Sequence, residues 1–445
     1  MGRRYPSWKF LRMGNMRKFA LDFSLLRKYP NFRNLWLSGL VSTLGSMFTY
    51  VAIPFQIKEM TNSYLAVGIS GAVELIPLIV FGLYGGVLAD AIDRKKMIWA
   101  MEAARLVLVG VLALNSILDK PSLLLIYVVT ALFAAVDGLQ RPSMNAILPK
   151  LVGHSELPSA SALMGVRGQF GVIVGPSLGG IIIAIFSVTT GYGVDIFSFI
   201  ISLIFLSRVG KVPALERIEK PSLAAFFEGL NYARSRQDLL GTYLIDLTAM
   251  FFAMPTALIP FWADELGTPW ALGLLYAAVT IGALFTILTS GWMKHYHFHG
   301  RAIILAAVGW GAAVALSGIV HNLPLVFLFL VLAGASDEVS ALYRQTIWNQ
   351  TIPDYLRGRL AGIEMLSYSV GPLAGQLRAA TMASATSLAF SITSGGIICI
   401  ILVSALAFFL PKLRHYNAET DEHAVRERKI RGAQKIINES EKNEE

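Results

Sequence analysis

Four acidic residues lie inside long apolar runs of the chain: Glu74, Asp137, Asp246 and Asp337. An ionised side chain costs about 3 kcal/mol at the centre of a bilayer unless it faces water or a partner. A proton carrier must lose its proton on one side and regain it on the other, which partial burial of a carboxyl group favours. We therefore predict that these residues are candidate proton carriers, with Glu74 the deepest. Ordinary anchoring near a helix end is the alternative for Asp137.

Three further ionisable residues lie within apolar runs. Glu102 and Arg105 are three residues apart, so they share one face of a helix and are expected to pair with each other. Arg167 is a candidate for attracting an anionic substrate group, and pairing with a neighbouring helix is an equally good interpretation. Both possibilities stay open at this stage.

One apolar run contains a cluster of aromatic and Met side chains. Met side chains adapt their shape easily, so such a cluster is typical of an adaptable apolar wall around an amphiphilic molecule. The members of this candidate substrate wall are Met250, Phe251, Phe252 and Met254. Packing residues or lipid-facing residues are the alternative interpretation.

The elements that position these residues follow from composition. The chain has 445 residues, 55% of them hydrophobic and 15% charged, whereas a soluble domain carries roughly 25% charged residues. A helix needs about 20 apolar residues to cross a bilayer. Twelve segments meet that criterion, at 35–56, 64–89, 97–118, 122–142, 160–186, 190–209, 239–262, 269–292, 301–320, 323–345, 360–382 and 387–410.

The spans fall into two groups of six. We predict an N-terminal segment over 1–34, a six-helix half over 35–209, a linker over 210–238, a second half over 239–410 and a charged tail over 411–445. The expected fold is an all-α integral membrane protein with twelve transmembrane helices in two pseudo-symmetric halves. Alternating access then proceeds by rocking of the halves around a central cavity.

The distribution of positive charge predicts the orientation. Of the 38 Lys and Arg residues, 33 lie on the side of both termini, 2 (Lys58 and Lys120) lie on the other side, and Arg105, Arg167 and Arg378 lie within spans. Because positive loops stay in the cytoplasm, both termini are expected there. The expected location of the protein is the inner (cytoplasmic) membrane of the cell. The residues behind the net charge of +9 then form a cytoplasmic surface that faces anionic lipids. No nucleic-acid partner is expected.

Features of the first half recur near 200 residues later. Asp137 is matched by Asp337, and the run 175–179 (GPSLG) is echoed by 371–375 (GPLAG). Duplication of a six-helix unit produces such an offset, and it relates two parallel halves by an axis along the membrane normal.

The fifth span carries a stripe of glycines around a proline. The stripe consists of Gly171, Gly175, Pro176, Gly179 and Gly180. Glycines four apart let another helix approach closely, and Pro176 bends the helix and frees a backbone carbonyl. We therefore predict a helix-packing motif, either as a plain packing surface or as part of a transport mechanism.

The loop between the second and third spans contains a candidate conformational latch. Gly86 allows close approach of a helix, and Asp90 places a carboxylate where it can meet the positive N-terminal end of a helix from the other half. Arg94 and Lys95 supply ion-pair partners and a cytoplasmic anchor. We expect the latch to close against the start of the eleventh span near Arg359.

This loop resembles the signature Gly-x-Leu-Ala-Asp-Arg-x-Gly-Arg-Arg of the major facilitator superfamily. The matching residues are Gly86, Leu88, Asp90, Arg94 and Lys95, while Ala91 and Asp93 replace the usual Arg and Gly, and His295 stands where the second half would repeat Asp90. Segments 25–33, 54–61, 273–278 and 351–359 are similar to the branch that contains the enterobactin exporter and bacterial drug–proton antiporters. This resemblance implies export of an amphiphilic drug or siderophore coupled to proton entry.

Other classes of function are less well supported. The chain has no Gly-x-x-x-x-Gly-Lys-Ser/Thr phosphate-binding loop, so the proton gradient is the expected energy source, no cofactor is expected, and no enzyme is predicted. The motif His295-x-His297-x-His299 suits a transition metal, but a solvated loop is favoured and no metal site is predicted. An importer or facilitator of the same fold, and a scaffold or sensor that transports nothing, remain alternatives. We expect a monomer in the membrane.

Overall fold

The computed structural model describes residues 23–91, 93–153, 156–210 and 223–430. A short helix α1 (Ser24–Lys28) precedes the first six long helices, which are α2 (Pro30–Thr61), α3 (Tyr64–Ala91), α4 (Arg94–Ser116), α5 (Leu123–Ile147), α6 (Leu157–Ile185) and α7 (Val188–Ser207). The linker region contains α8 (Leu223–Ser235). The second set consists of α9 (Gln237–Ala253), α10 (Ile259–Glu265), α11 (Leu272–Thr289), α12 (His299–Ile319), α13 (Leu323–Thr351), α14 (Asp354–Ala385) and α15 (Leu388–Phe409). The tail begins with α16 (Pro411–Arg414) and continues in a helix over 422–430.

Most of these helices can cross a membrane. Eleven described segments are long and apolar enough to do so, with α9 and α10 together forming one of them. The 32-residue helix α14 is long enough to be the twelfth span, although several charged residues reduce its hydropathy. The described part of the chain contains no strand, because a bilayer offers no partner for open backbone groups. The predicted all-α fold with twelve spans is confirmed.

The two sets of six helices pack in the same way. In the first set α2 packs on α6 and α7, α4 packs on α5 and α7, and α3 packs on α5. In the second set α9 packs on α14 and α15, α12 packs on α13 and α15, and α11 packs on α13. Each pairing in one set has its counterpart in the other, so the halves are pseudo-symmetric. They meet through α3 against α14 and α6 against α11, which are equivalent pairs as well.

The seventh span differs from its prediction. A continuous helix over 239–262 was expected, but α9 ends at Ala253 and a 3-10 turn over Thr256–Leu258 separates it from α10. Pro255 and Pro260 lack backbone N–H groups, which interrupts the helical ladder. The Arg378 guanidinium donates to the carbonyl of Phe252 beside this break and to the carbonyl of Ser391 at 3.4 Å. These bonds satisfy carbonyl groups in a place where lipid could not.

Close backbone contacts join the halves at one end of the bundle. We name the end where α2 begins and α15 ends the terminal end, and the opposite end the distal end. At the distal end a Cβ atom on Gly180 of α6 would lie 2.3 Å from the Cα atom of Gly273 on α11. A Cβ atom on Gly71 of α3 would lie 2.7 Å from the carbonyl oxygen of Leu373 on α14. Only glycine permits such close approach of backbones, so both contacts are tight.

Side chains reinforce the distal contact. The Lys58 ammonium of α2 forms an ion pair with Asp264 of α10 in the other half. Tyr64 of α3 donates to the Glu265 carboxylate at 3.2 Å, and its ring lies 4.3 Å from that of Phe261. These contacts join the halves at the distal end, and an opening there must break them.

Helices α6 and α11, which touch at the distal end, separate toward the terminal end. On α6, Val166 and Phe170 lie on the face that packs against α11 at Ser177 and Ile181, because these positions repeat at helical spacing. Yet Val166 is 39% exposed and Phe170 is 48% exposed. The face is thus covered at the distal end and open at the terminal end, which indicates a cavity that opens toward the termini.

The linker and tail dock on the second half. Arg236 forms a buried ion pair with Asp238 and donates to the carbonyl of Thr351 at 2.9 Å. Burial acts to lower the pKa of Arg236, but hydrogen bonding to Asp238 raises it overall. In the tail, Tyr416 is 2% exposed, and burial raises its pKa. The helix α8 was not predicted, and residues 431–445 lie outside the described residues.

Candidate functional site

Asp137 lies between two arginines in the terminal half of α5. Its carboxylate accepts from Arg105 of α4 at 2.7 Å and pairs with Arg141 of its own helix at 2.6 Å. Arg141 also interacts with Tyr368 of α14, so this group of charges reaches the other half. The side chains of Asp137 and Arg141 are 35% and 37% exposed. Charged groups at this depth need water, so this placement supports a wet cavity between the halves.

Glu102 pairs with Arg105 as expected, at 3.5 Å. The pair is not isolated, because hydroxyl and amide groups from three other helices surround the carboxylate. Ser42 and Ser202 donate to it at 2.9 and 3.1 Å, and Gln140 donates at 2.9 Å. Glu102 therefore holds α2, α4, α5 and α7 together, which is a structural role.

The first half contains a second buried acid that was not predicted. Asp195 of α7 has 0% exposure and accepts hydrogen bonds from Thr49 and, at 3.1 Å, from Ser198. No ion pair joins it to a cation among the described residues. Its position inside the predicted span 190–209 is the same signal that selected Asp137, so it could have been found.

In the second half, Asp246 forms a buried ion pair. Arg344 of α13 lies 2.9 Å from one carboxylate oxygen, and Ser367 of α14 donates to the other at 2.9 Å. The side chains of Asp246 and Arg344 are only 3% and 9% exposed. Arg344 therefore links α13 to α9 through a buried ion pair. Asp337, Glu338 and Glu364 are further acids within electrostatic range of Arg344, and Glu364 was not among the predicted residues.

Glu74 differs from the other candidate acids. It lies on α3 one turn beyond Gly71, at the contact between the halves. Among the described residues, no hydrogen bond or ion pair to Glu74 is present, although Tyr50 and Asp137 are within electrostatic range. Of the four predicted acids, Glu74 and Asp337 have no hydrogen bond or ion pair with a described residue. Of these two, only Asp337 is within electrostatic range of an arginine, Arg344.

The predicted match of Asp137 with Asp337 is wrong in register. Gly138 packs against α3 just as Gly334 packs against α11, and this equivalence gives an offset of 196 residues, as does the pair Gly175 and Gly371. Asp337 lies 200 residues after Asp137, which is one helical turn too far. At an offset of 196, Asp337 is equivalent to Arg141, so the two halves present opposite charges at this position.

The side chains of the predicted substrate wall are only partly exposed. Met250 is 7% exposed and packs against Gly371. A Cβ atom added to Gly371 would lie 2.9 Å from the Cβ atom of Met250. Phe251 and Phe252 form an edge-to-face pair at 4.8 Å beside the break in the seventh span, and Met254 lies within the break. In this conformation Met250 is a packing residue, while the other three are partly exposed.

Arg167 has no partner in the described structure for two of its nitrogens. Its Nε and Nη1 atoms are buried and make no hydrogen bond. The guanidinium lies against Gly39 of α2, where an added Cβ atom would be 2.1 Å from Nη1. Because buried donors without partners cost free energy, this arrangement favours an external acceptor over the helix pairing that the sequence left open.

The glycine stripe of α6 lies along α2. Added Cβ atoms at Gly171 and Gly175 would lie 2.4 Å from Thr43 and Met47 respectively, and one at Gly179 would lie 3.1 Å from the Cα atom of Phe48. Gly180 faces α11 of the other half. The stripe thus packs α6 within its own half and, at its distal end, against the second half, while Pro176 lies inside the helix.

We expect Gly175→Val to destabilise the protein, because Met47 and the backbone of Leu44 leave no room for a side chain. The cost of such overpacking is about 1 to 3 kcal/mol. Gly165→Val is the matched control, since no atom lies within 4 Å of an added Cβ atom on the same helix. Thermal unfolding in detergent should show a lower melting temperature for Gly175→Val only, and equal melting of the two variants would contradict this packing.

The latch is only partly visible. Asp93 caps α4 by accepting from the backbone N–H groups of Lys95 and Lys96, at 2.9 and 3.2 Å, and the Lys95 ammonium donates to the carbonyl of Val209. Arg94 begins α4. The side chains of Asp90 and Arg359 lie outside the described residues, and so does the environment of Gly86. The latch stays a prediction.

Two of the three histidines after the eighth span have different neighbours. His297 lies 3.4 Å from Glu419 of the tail, whereas His299 is buried near the rings of Tyr343 and Tyr416. No group of three or more potential metal ligands occurs among the described residues.

Comparison with known proteins gives one consistent family. The chain is 28% identical over 405 residues to the enterobactin exporter EntS of Escherichia coli (strain K12) and to that of Shigella dysenteriae serotype 1, covering 91% of this chain and 97% of each relative. Among solved structures, a bacterial homologue of the human lysosomal transporter Spinster, inward-facing and unoccupied, superposes with a TM-score of 0.68 at 12% identity and covers 87% of this chain and 97% of that one.

The nucleoside transporter NupG superposes with a TM-score of 0.64 at 13% identity, covering 87% of this chain and all of that one. These structures share the fold. The family model described as "Transmembrane secretion effector" matches residues 22–435. With its twelve spans, its two equivalent halves and this match, the chain belongs to the transmembrane secretion effector family of the major facilitator superfamily and is a secondary transporter.

Proposed function

We propose that this transporter exports an amphiphilic small molecule, a drug or a siderophore, in exchange for protons. The observation that carries the proposal is Glu74, a carboxyl group without a described partner at the contact between the halves. Such a group can change its protonation as the halves move, because burial and water access change with them. The similarity to enterobactin exporters over 91% of the chain supports the direction of transport.

The orientation is part of the proposal. The excess of Lys and Arg at the terminal end supports an orientation in the inner membrane with both termini in the cytoplasm. The distal contacts of Lys58 with Asp264 then lie at the outer surface, and the cavity opens inward. An exporter waiting for substrate needs this state, since its substrate arrives from the cytoplasm.

The contacts rank the candidate proton carriers. Two arginines hold Asp137 and one holds Asp246, so loss of the charge on either acid would leave a guanidinium unpaired. Asp337 stays a candidate because it faces the already paired Arg344. Glu74 carries no such penalty and is our first candidate. Arg167, with two unpaired nitrogens, is the candidate contact for an anionic group of the substrate.

Substrate-dependent proton movement tests the proposal. In everted vesicles with an imposed proton gradient, a transported drug or siderophore should collapse the gradient with the wild-type protein. Glu74→Gln should abolish this response because the amide cannot take up a proton. Asp119→Asn, which changes an exposed loop acid, is the matched control and should respond like wild type.

The outcomes separate the alternatives. A facilitator of the same fold would move substrate into proteoliposomes without proton movement, a proton-coupled importer would move protons in the same direction as the substrate, and a scaffold or sensor would move neither. A full response in Glu74→Gln would show that another acid, not Glu74, carries the proton. Asp90 and Arg359 complete the proposal as the latch that closes the cytoplasmic side.

A further inference from the structure

Three hydroxyl groups cluster around Tyr50, which is within electrostatic range of Glu74, at the contact between the halves. Tyr50 of α2 and Tyr276 of α11 come from different halves, and their rings form an edge-to-face pair with centroids 6.2 Å apart. Thr256, in the break of the seventh span, interacts with the Tyr50 hydroxyl, and Glu74 is within electrostatic range of the same group. The break itself packs against α3 and α14.

The hydroxyl group of Tyr276 has no hydrogen-bond partner among the described residues. Tyr276 is 7% exposed, and its oxygen makes no hydrogen bond with any described group. A buried hydroxyl usually has a partner, because its desolvation costs free energy otherwise. Tyr50 is 38% exposed, so the cluster is not fully enclosed by protein. Broken transmembrane helices commonly line substrate sites, since their irregular backbone needs polar surroundings.

We propose that Glu74, Tyr50, Tyr276 and Thr256 form a binding site for an aromatic group that carries O–H or N–H donors. The Glu74 carboxylate accepts from the donors of the ligand, the Tyr276 hydroxyl completes the hydrogen bonding, and the two tyrosine rings pack against the aromatic plane. This inference rests on the proposed function and names the chemistry of the substrate. Because both halves contribute, a bound ligand also bridges them.

Equilibrium binding to the purified full-length chain in detergent tests this site without any proton gradient. The probes are catechol and ethidium, which carry O–H and N–H donors on aromatic rings, and tetraphenylphosphonium, which is aromatic but has no donor. Tyr276→Phe should weaken binding of a donor-bearing probe by roughly 5- to 10-fold, the usual effect of one hydrogen bond. Binding of tetraphenylphosphonium should not change.

Tyr243→Phe is the matched control. Tyr243 is also 7% exposed with an unpartnered hydroxyl, but it stacks on Trp348 inside the second half, with ring centroids 5.2 Å apart. Wild-type affinity is expected there. The site is overturned if Tyr276→Phe and Tyr243→Phe behave alike, if tetraphenylphosphonium loses affinity equally, or if the wild type binds neither donor-bearing probe. Loss of proton coupling with intact binding would overturn the proposed antiport and leave the site standing.

Catechol and ethidium also separate two sources of the donor. Preferred binding of catechol indicates a phenolic substrate, and preferred binding of ethidium indicates a cationic amine. Glu74→Gln should weaken ethidium more than catechol, because it removes a negative charge as well as an acceptor. A gain in ethidium affinity in this variant would contradict the assignment of Glu74 to the site.

Discussion

Replacing Gly273 by Leu is expected to abolish transport by keeping the distal end open. A Cβ atom at Gly273 would lie 2.5 Å from the carbonyl oxygen of Ser177 and 2.8 Å from the backbone nitrogen of Ile181. These are backbone atoms of a helix in the other half, so the side chain cannot be accommodated by a rotamer change. Relief comes only from separation of α6 and α11. A bias of about 5.5 kcal/mol takes a two-state equilibrium from 1:99 to 99:1, and a Leu side chain against backbone should supply a large part of it.

Crosslinking at the distal end measures this shift directly. In a Cys399→Ser background, cysteines at Lys58 and Asp264, which form an ion pair across the halves, should crosslink in the otherwise unchanged protein. Adding Gly273→Leu should remove both the crosslink and substrate efflux. Gly110→Leu is the control, because nothing lies within 4 Å of an added Cβ atom there. Retained crosslinking and efflux in Gly273→Leu would show that the glycine contact does not close the distal end.

Replacing Asp246 by Ala is expected to destabilise the second half strongly. The change leaves the Arg344 guanidinium buried without its carboxylate, and its Nε atom already lacks a partner. Removing one member of a buried ion pair costs about 3 to 5 kcal/mol. Thermal unfolding in detergent should therefore show a large fall in melting temperature, or failure to fold.

A double variant distinguishes this cause from simple loss of packing. Asp246→Ala with Arg344→Met removes both charges and should recover most of the lost stability, since replacing a whole buried pair by apolar residues is often nearly neutral. Melting of the double variant no higher than that of Asp246→Ala would contradict the ion-pair explanation. If Asp246 also carries the proton, the stable double variant will still lack substrate-dependent proton movement.

The sequence predicted the framework because its signals are local. A run of about 20 apolar residues must form a helix in lipid wherever its neighbours lie, so all twelve spans were found. The glycine stripe from Gly171 to Gly180 was also visible, since a missing side chain permits close packing whatever the partner is. The break at Pro255 had a local signal that was not used, and the acid Asp195 met the criterion applied to the others.

Partners across helices were less predictable. Arg344 lies near the end of its helix, where a basic residue commonly anchors the helix at the membrane surface. It instead forms an ion pair with Asp246, about a hundred positions away in the chain. The register of the two halves also needed packing, because Gly138 and Gly334 fix an offset of 196 that the similar residues Asp137 and Asp337 obscure. A shift of one helical turn changes which charged residues are equivalent in the two halves. The hydropathy pattern cannot distinguish offsets that differ by one turn.

By itself, the sequence determined that the chain crosses the membrane twelve times in two related halves, because length and hydropathy act within single segments. Only the tertiary structure decided which acids are held and which is left without a partner. Arg105 and Arg141 neutralise Asp137, Arg344 holds Asp246, and Glu74 lies with no described partner where the halves meet. The free energy of a buried charge depends on groups within a few ångströms, and those groups come from helices that only folding brings together.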